Sequence, residues 1–182
     1  RFLTMFDPKD SKTIGYHLFF LPEGELFDNL QKTINTLAEK YGGAKFEPHT
    51  TLLARIPKAD EAELIAKTQQ LASTMKPFEI ELKEIYAEDV YFRALYCKAE
   101  PNAEMEEYHK KALEMFGIQD INPYISHLSL YYGNVPQLIK DEMIASLSLP
   151  VSMKFMVDKV YLYSTEGKTQ NWVRIGTYPL GK

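Results

Sequence analysis

The chain has 182 residues, 45% of them hydrophobic and 25% charged, with a formal net charge of −4 and a pI of about 5.6. That length can bury a core without disulfides or metal staples, and its single cysteine, Cys97, excludes an internal disulfide. The acidic balance and the lack of a Lys/Arg run argue against a grip on long nucleic acid, which needs phosphate neutralisation, and no apolar run is long enough to span a membrane.

Residues 1–12 are mostly polar and turn-like, and are expected to form a loose arm. Residues 14–21 are a short apolar run closed by Pro22 and Gly24, which predicts a strand. Over 25–41 the residues Leu26, Leu30, Ile34, Leu37 and Tyr41 recur at helical spacing, and Gly42-Gly43 marks the stop. Residues 45–56 read as a strand, and 60–74 as a helix with Leu64, Ile65, Thr68 and Leu71 on one side. The alternation of Phe78, Ile80 and Leu82 predicts a half-exposed strand over 78–85. A strand over 90–99 follows, then a helix opened by Pro101 and stopped by Gly117. Next come a strand over 124–132, a turn at Gly133-Asn134 and a helix over 136–146. Strands over 153–163 and 172–178, joined by a polar loop, complete the chain.

This order contains a weak internal duplication: β-α-β-α occurs twice, with an extra strand after each half. It predicts an α+β fold, one bilobal domain over 1–182. Two mixed or antiparallel sheets, with helices outside, are expected to flank a central cleft.

Two segments match each other across the halves. One is Phe46-Glu47-Pro48-His49-Thr50-Thr51-Leu52, the other Tyr124-Ile125-Ser126-His127-Leu128-Ser129-Leu130. Each reads as a strand carrying His, a hydroxyl residue two positions on, then Leu. Period two puts His49 with Thr51, and His127 with Ser129, on one face. A single match of this kind is weak evidence; two in equivalent places, from only four histidines, are strong. The set suits the opening of a 2′,3′-type cyclic phosphate by water. One imidazole takes a proton from water and the other protonates the leaving alkoxide. The Thr51 and Ser129 hydroxyls would donate to the phosphate oxygens where charge builds.

On these residues the chain resembles the 2H phosphoesterases, a family named for two His-x-Thr/Ser tetrapeptides. It is most similar to the cyclic phosphodiesterases that open ADP-ribose 1″,2″-cyclic phosphate and nucleoside 2′,3′-cyclic phosphates. Gly15-Tyr16-His17-Leu18-Phe19-Phe20-Leu21-Pro22 and Ser126 to Tyr132 also carry the likeness, which runs from Gly15 to Leu180. The resemblance implies a bilobal fold with a pseudo-twofold axis through the cleft, and a catalytic quartet of His49, Thr51, His127 and Ser129. It puts Tyr132 near the substrate and Phe19 on the cleft wall, where some relatives carry Trp. Ser126 departs from the Pro that relatives often have there. The implied substrate is a cyclic nucleotide or ADP-ribose cyclic phosphate, with no cofactor and no metal, in a cytoplasmic monomer. Two other functions share the fold: an enzyme of RNA 2′,3′-cyclic ends or 2′-5′ linkages, and a non-catalytic nucleotide-binding module. The acidic charge favours small esters over RNA ends, and two complete motifs favour an enzyme over a binder.

Other residues invite plainer readings. His17 shares strand parity with Phe19 and is expected to line the cleft, in a structural rather than a chemical role. His109 reads as part of a solvated helix face. Cys97 reads as a buried thiol, because nothing nearby activates it. Trp172 is read as core or rim. The histidines show no metal-ligand spacing.

Overall fold

The structure, a computed structural model, describes residues 7–182. In chain order the elements are β1 (Lys12–Thr13), β2 (Tyr16–Phe20), α1 (Gly24–Tyr41), β3 (Thr50–Ile56), α2 (Glu61–Ser73) and β4 (Phe78–Tyr86). A 3₁₀ turn at Tyr91–Arg93 leads into β5 (Leu95–Ala99), α3 (Ala103–Phe116), β6 (His127–Tyr131) and α4 (Gln137–Ser146). Then come β7 (Lys154–Val157), β8 (Lys159–Ser164), β9 (Gly167–Lys168), a 3₁₀ turn at Thr169–Asn171 and β10 (Val173–Pro179).

Local chemistry sets the helix ends. Gly42 closes α1 with φ 81°, its N–H bonded to the Ala38 carbonyl, a left-handed cap that glycine adopts without strain. Asn102 opens α3, its side chain accepting from the Glu104 and Met105 N–H groups. Pro101, expected to open that helix, therefore stands outside it.

Eight strands form one antiparallel sheet in the order β10-β8-β2-β3-β6-β5-β4-β7. It has two four-stranded halves, joined where β3 meets β6 through one pair, Thr50 opposite Leu128. These halves are the two predicted sheets. Two helices cross over: α1 packs on β6, and α3 packs on β3, while α2 stays on β8 and β10 of its own half. The extra strands are exchanged as well. β4 follows the first half in sequence but pairs with β5, and β8 follows the second but pairs with β2.

Several expectations are corrected. The strand predicted over 153–163 breaks at Asp158, so that β7 ends one half while β8 lies inside the other. Val157 and Lys159 can be only about 7 Å apart, so the sheet curls to bring its far parts together. Residues 45–49 are not a strand; Pro48 lacks an N–H, and the Phe46 carbonyl is taken by Gln31 Nε2 at 2.9 Å. Residues 91–93 form a turn rather than extending β5, and β6 begins only at His127. The arm expected over 1–12 is held down where it is described. β1 pairs with β9, Tyr91 N–H donates to Pro8 O, Asn134 Nδ2 donates to Lys9 O, and Lys9 pairs with Asp89. Residues 1–6 lie outside the described residues. Among the described residues no helix is long and apolar enough to cross a membrane.

Gly15 is where backbone geometry is tightest. Its φ is +70°, and a Cβ there would lie 1.9 Å from the Ile56 carbonyl oxygen. Gly15→Ala is expected to lower the unfolding free energy by at least about 2 kcal/mol, read from urea melts. A change below about 0.5 kcal/mol would contradict this packing of β2 against the end of β3.

Candidate active site

The junction of β3 and β6 places the paired motifs. Thr50 and Leu128 oppose each other and are fully buried. Antiparallel register reverses the order of their neighbours, so His49 stands towards Ser129 and Thr51 towards His127. Side-chain alternation turns these four away from the buried face. All four line one cavity of about 660 Å³, together with Tyr132, Phe19 and His17. That volume lies within the range of sites for small molecules. Every residue singled out from the sequence for this site is therefore on the wall of one cavity.

The two histidines are held alike. His49 Nδ1 lies 2.6 Å from the Glu47 carbonyl oxygen, and His127 Nδ1 lies 3.0 Å from that of Ile125. A carbonyl can only accept, so in both neutral rings the proton is on Nδ1. Nε2 is then left as the basic nitrogen available to a substrate. Burial pushes the His49 pKa down to about 4, with the Glu47 carbonyl opposing and the His127 charge adding to the fall. Burial also lowers His127, helped by the Arg93 charge; the Ile125 carbonyl and the Glu88 carboxylate oppose it.

Around His49 the packing is aromatic. Phe19 lies against its ring, with centroids 3.9 Å apart. The Tyr132 hydroxyl is 3.4 Å from His49 Nε2, and Phe46 stacks on the Tyr132 ring at 3.8 Å. Burial raises the Tyr132 phenol far above its ordinary range, so it stays a neutral donor. His17 is buried and bonded through Nδ1 to Thr165 Oγ1 at 2.6 Å. That hydroxyl gives its proton to Gly15 O, so it accepts from His17. Desolvation pushes the His17 pKa down to about 3. The residue ties β2 to the segment after β8, as its structural reading expects.

The two hydroxyl residues differ. Thr51 lines the cavity, and its main-chain carbonyl takes the Tyr124 hydroxyl at 2.7 Å. Ser129 is buried, and its hydroxyl donates to the Phe92 carbonyl at 2.7 Å.

Each histidine is flanked by a Glu, Arg and Tyr set that sequence reasoning missed. On the His49 side, Tyr163 OH donates to Glu47 Oε1 at 2.6 Å and Arg174 Nη2 to Glu47 Oε2 at 2.8 Å. Arg174 Nε also reaches Tyr163 OH at 3.0 Å. On the His127 side, Tyr96 OH donates to Glu88 Oε1 at 2.6 Å and Arg93 Nε to Glu88 Oε2 at 3.0 Å. Glu47 sits inside the matched segment and was the one available signal; the other partners come from remote strands, a loop and the 3₁₀ turn at Tyr91–Arg93. Trp172 and Arg55 line the cavity too, and Arg55 has φ 57°, a conformation non-glycine residues seldom adopt.

His109 is corrected: its ring stacks on Tyr124 at 4.0 Å, and Nδ1 lies 2.7 Å from the Leu52 carbonyl oxygen, at the cavity wall. Cys97 is buried and its thiol pushed up to about 12, as an inert thiol should be. Among the described residues no group of three or more His, Cys, Asp or Glu could hold a metal ion.

The family model described as the 2′-5′ RNA ligase superfamily matches residues 26–169. The chain is 22% identical over 123 residues to a cyclic phosphodiesterase from Arabidopsis thaliana, covering 67% of each chain. Its fold is similar to that of Escherichia coli LigT complexed with 3′-AMP, with TM-score 0.61, 13% identity, and cover of 94% of this chain and 100% of that one. LigT structures with ATP and with NADP+ also match. TT0787 of Thermus thermophilus is similar at TM-score 0.63 and 16% identity, covering 92% of this chain and 98% of that one.

Proposed function

We propose that this chain, which belongs to the 2′-5′ RNA ligase superfamily, hydrolyses small cyclic phosphate esters by two-histidine acid–base catalysis, with residues 1–182 acting as one domain. The observation that carries the reading is the matched pair of imidazoles. Each gives Nδ1–H to the carbonyl two residues before it, and both line one cavity.

The environments divide the roles. His49 is the more deeply buried ring, and its pKa of about 4 keeps it neutral near pH 7, so Nε2 takes the proton of the attacking water. Burial lowers His127 as well, with the Ile125 carbonyl and the Glu88 carboxylate opposing the fall, and a bound anionic phosphate favours its charged form, in which it protonates the leaving alkoxide through Nε2. One P–O bond forms to the water oxygen and one P–O bond of the ring breaks. The products are a phosphate monoester and a free hydroxyl. No step calls on a metal. Phe19, Tyr132 and Trp172 offer the ribose and base an aromatic wall.

The cyclic phosphodiesterase relative and the nucleotide complexes of LigT support a nucleoside or ADP-ribose cyclic phosphate as substrate. The family description favours a second reading, a short RNA ending in a 2′,3′-cyclic phosphate; the net charge of −4 weighs against it. One assay tests both: turnover of a nucleoside 2′,3′-cyclic phosphate and of a short RNA with a cyclic end, each with chelator present. We expect the mononucleotide to turn over at an unchanged rate in chelator. Loss of activity restored by a divalent ion would refute the mechanism. Preference for the RNA would select the second reading.

A further inference from the structure

We infer that Arg93, preset by Glu88, is the phosphate donor in the His127 half of the cavity, the role the motif would give to the Ser129 hydroxyl. The inference rests on the phosphoesterase reading above and concerns the same site.

A serine hydroxyl has one proton to give. Ser129 gives it to the Phe92 carbonyl at 2.7 Å. Turning it towards a phosphate would strip that part-buried carbonyl of its partner, which carries its own cost. Thr51 lines the other half of the cavity; there Tyr124 takes only its main-chain carbonyl, and its hydroxyl makes no hydrogen bond to a described residue. The motif's two hydroxyls are therefore not equivalent, and the His127 half lacks a donor from its serine.

Arg93 stands where that donor is missing. It ends the 3₁₀ turn that contains Phe92, so the Ser129 bond seats the very turn that carries the arginine. It lines the cavity with both histidines. Its Nε is given to Glu88 Oε2 at 3.0 Å, while its Nη nitrogens carry no hydrogen bond to a described residue. Glu88 is itself fixed at two further points. Tyr96 OH reaches Oε1 at 2.6 Å, and the buried Lys140 gives Nζ to the Glu88 main-chain carbonyl at 2.6 Å. The guanidinium is thus oriented before any ligand arrives, with the two-nitrogen edge that suits a phosphate left for it. Its charge is felt at His127.

The other half supplies the contrast. Arg174 has the same Glu and Tyr companions, but it gives Nε to Tyr163 and Nη2 to Glu47. It is not among the described residues that line the cavity. The same three residue types make a closed clamp beside His49 and an open one beside His127.

The test compares Arg93→Met, Arg93→Gln and Ser129→Ala in steady-state turnover of a nucleoside 2′,3′-cyclic phosphate, with melting curves for each. Arg93→Met is expected to lower kcat/KM by about 10- to 100-fold, from a higher KM and a lower kcat together. Arg93→Gln keeps one donor for Glu88 without the charge, and gives the same loss should the Met variant fail to fold. Ser129→Ala is expected to cost less than either. An Arg93 variant with wild-type kcat/KM, or a Ser129→Ala loss larger than that of both Arg93 variants, would overturn the assignment while leaving the phosphoesterase reading intact. Absence of turnover by the wild-type protein would instead fell that reading, and the assignment with it.

Discussion

Alanine at His49 or at His127 is expected to abolish nearly all turnover of a nucleoside 2′,3′-cyclic phosphate, by about 10²–10⁴-fold in kcat for each. The two rings share one wall and are presented alike, by a hydrogen bond from Nδ1 to a carbonyl two residues back. Water attack and alkoxide departure belong to one displacement, so removing either partner disables the same step. The double variant should therefore be little worse than the poorer single one, since residues that act as a unit are not additive. His49 packs against Phe19 and Tyr132, so circular dichroism must accompany the kinetics at that position. A folded His127→Ala protein with full activity would end the acid–base assignment.

The second large effect is on the pH profile. His49 must be neutral to act as base, and its pKa is held at about 4 by burial. His127 must be protonated to act as acid, and burial holds its pKa below the ordinary 6.5. The free enzyme's kcat/KM should accordingly follow a bell whose acid limb lies near pH 4 and whose basic limb lies below pH 6.5. The apparent values belong to the coupled pair. Above the basic limb the rate should fall about tenfold per pH unit, so that kcat/KM at about pH 8 is more than about tenfold below its maximum. In the complex, a bound anionic phosphate favours imidazolium, which moves the kcat profile to higher pH. Stability must be followed in the same scan. The folded pKa values of His17 and His49, about 3 and about 4, lie below the unfolded value of 6.5. The unfolded chain therefore binds protons first. Their stabilising contribution is intact above about pH 6.5 and is lost as pH falls through about 4 and then about 3. A kcat/KM maximum above about pH 8 would contradict the assigned roles.

The sequence made the quartet legible because alternation and identity coincide there. His-Thr-Thr-Leu and His-Leu-Ser-Leu put both imidazoles on the face opposite the buried Thr50 and Leu128. Helix α1 was equally readable from its apolar spacing and its closing Gly42, and α3 from its closing Gly117. What escaped was whatever depends on distant pairing. The run 153–163 reads as one strand because its aliphatic and aromatic residues outweigh Asp158-Lys159, but the strand breaks at that polar pair and is divided between two halves. The turn at Tyr91–Arg93 was hidden by three residues that favour strands or tolerate them. With that turn hidden, so was the bond that takes up the Ser129 hydroxyl. Arg93 was invisible for the same reason: a lone arginine in a strand-like run carries no local sign that a glutamate holds it.

The break at Asp158 bears on how the chain reaches its native state. β2, among the first strands made, has β8 as one of its two neighbours, with Tyr16 opposite Ser164. The His17–Thr165 bond spans 148 positions. The sheet half that supports His49 therefore stays open-edged until residues beyond Asp158 return to it, whereas β4, β5 and β6 meet their neighbours over shorter loops. Such closures are entropically expensive and come late. Folding should be slow for a chain of this size. The second half would form ahead of the first, reversing the order in which a ribosome delivers them, and the exposed edge of β2 would be the place where an incompletely folded chain is most prone to pair with a neighbour.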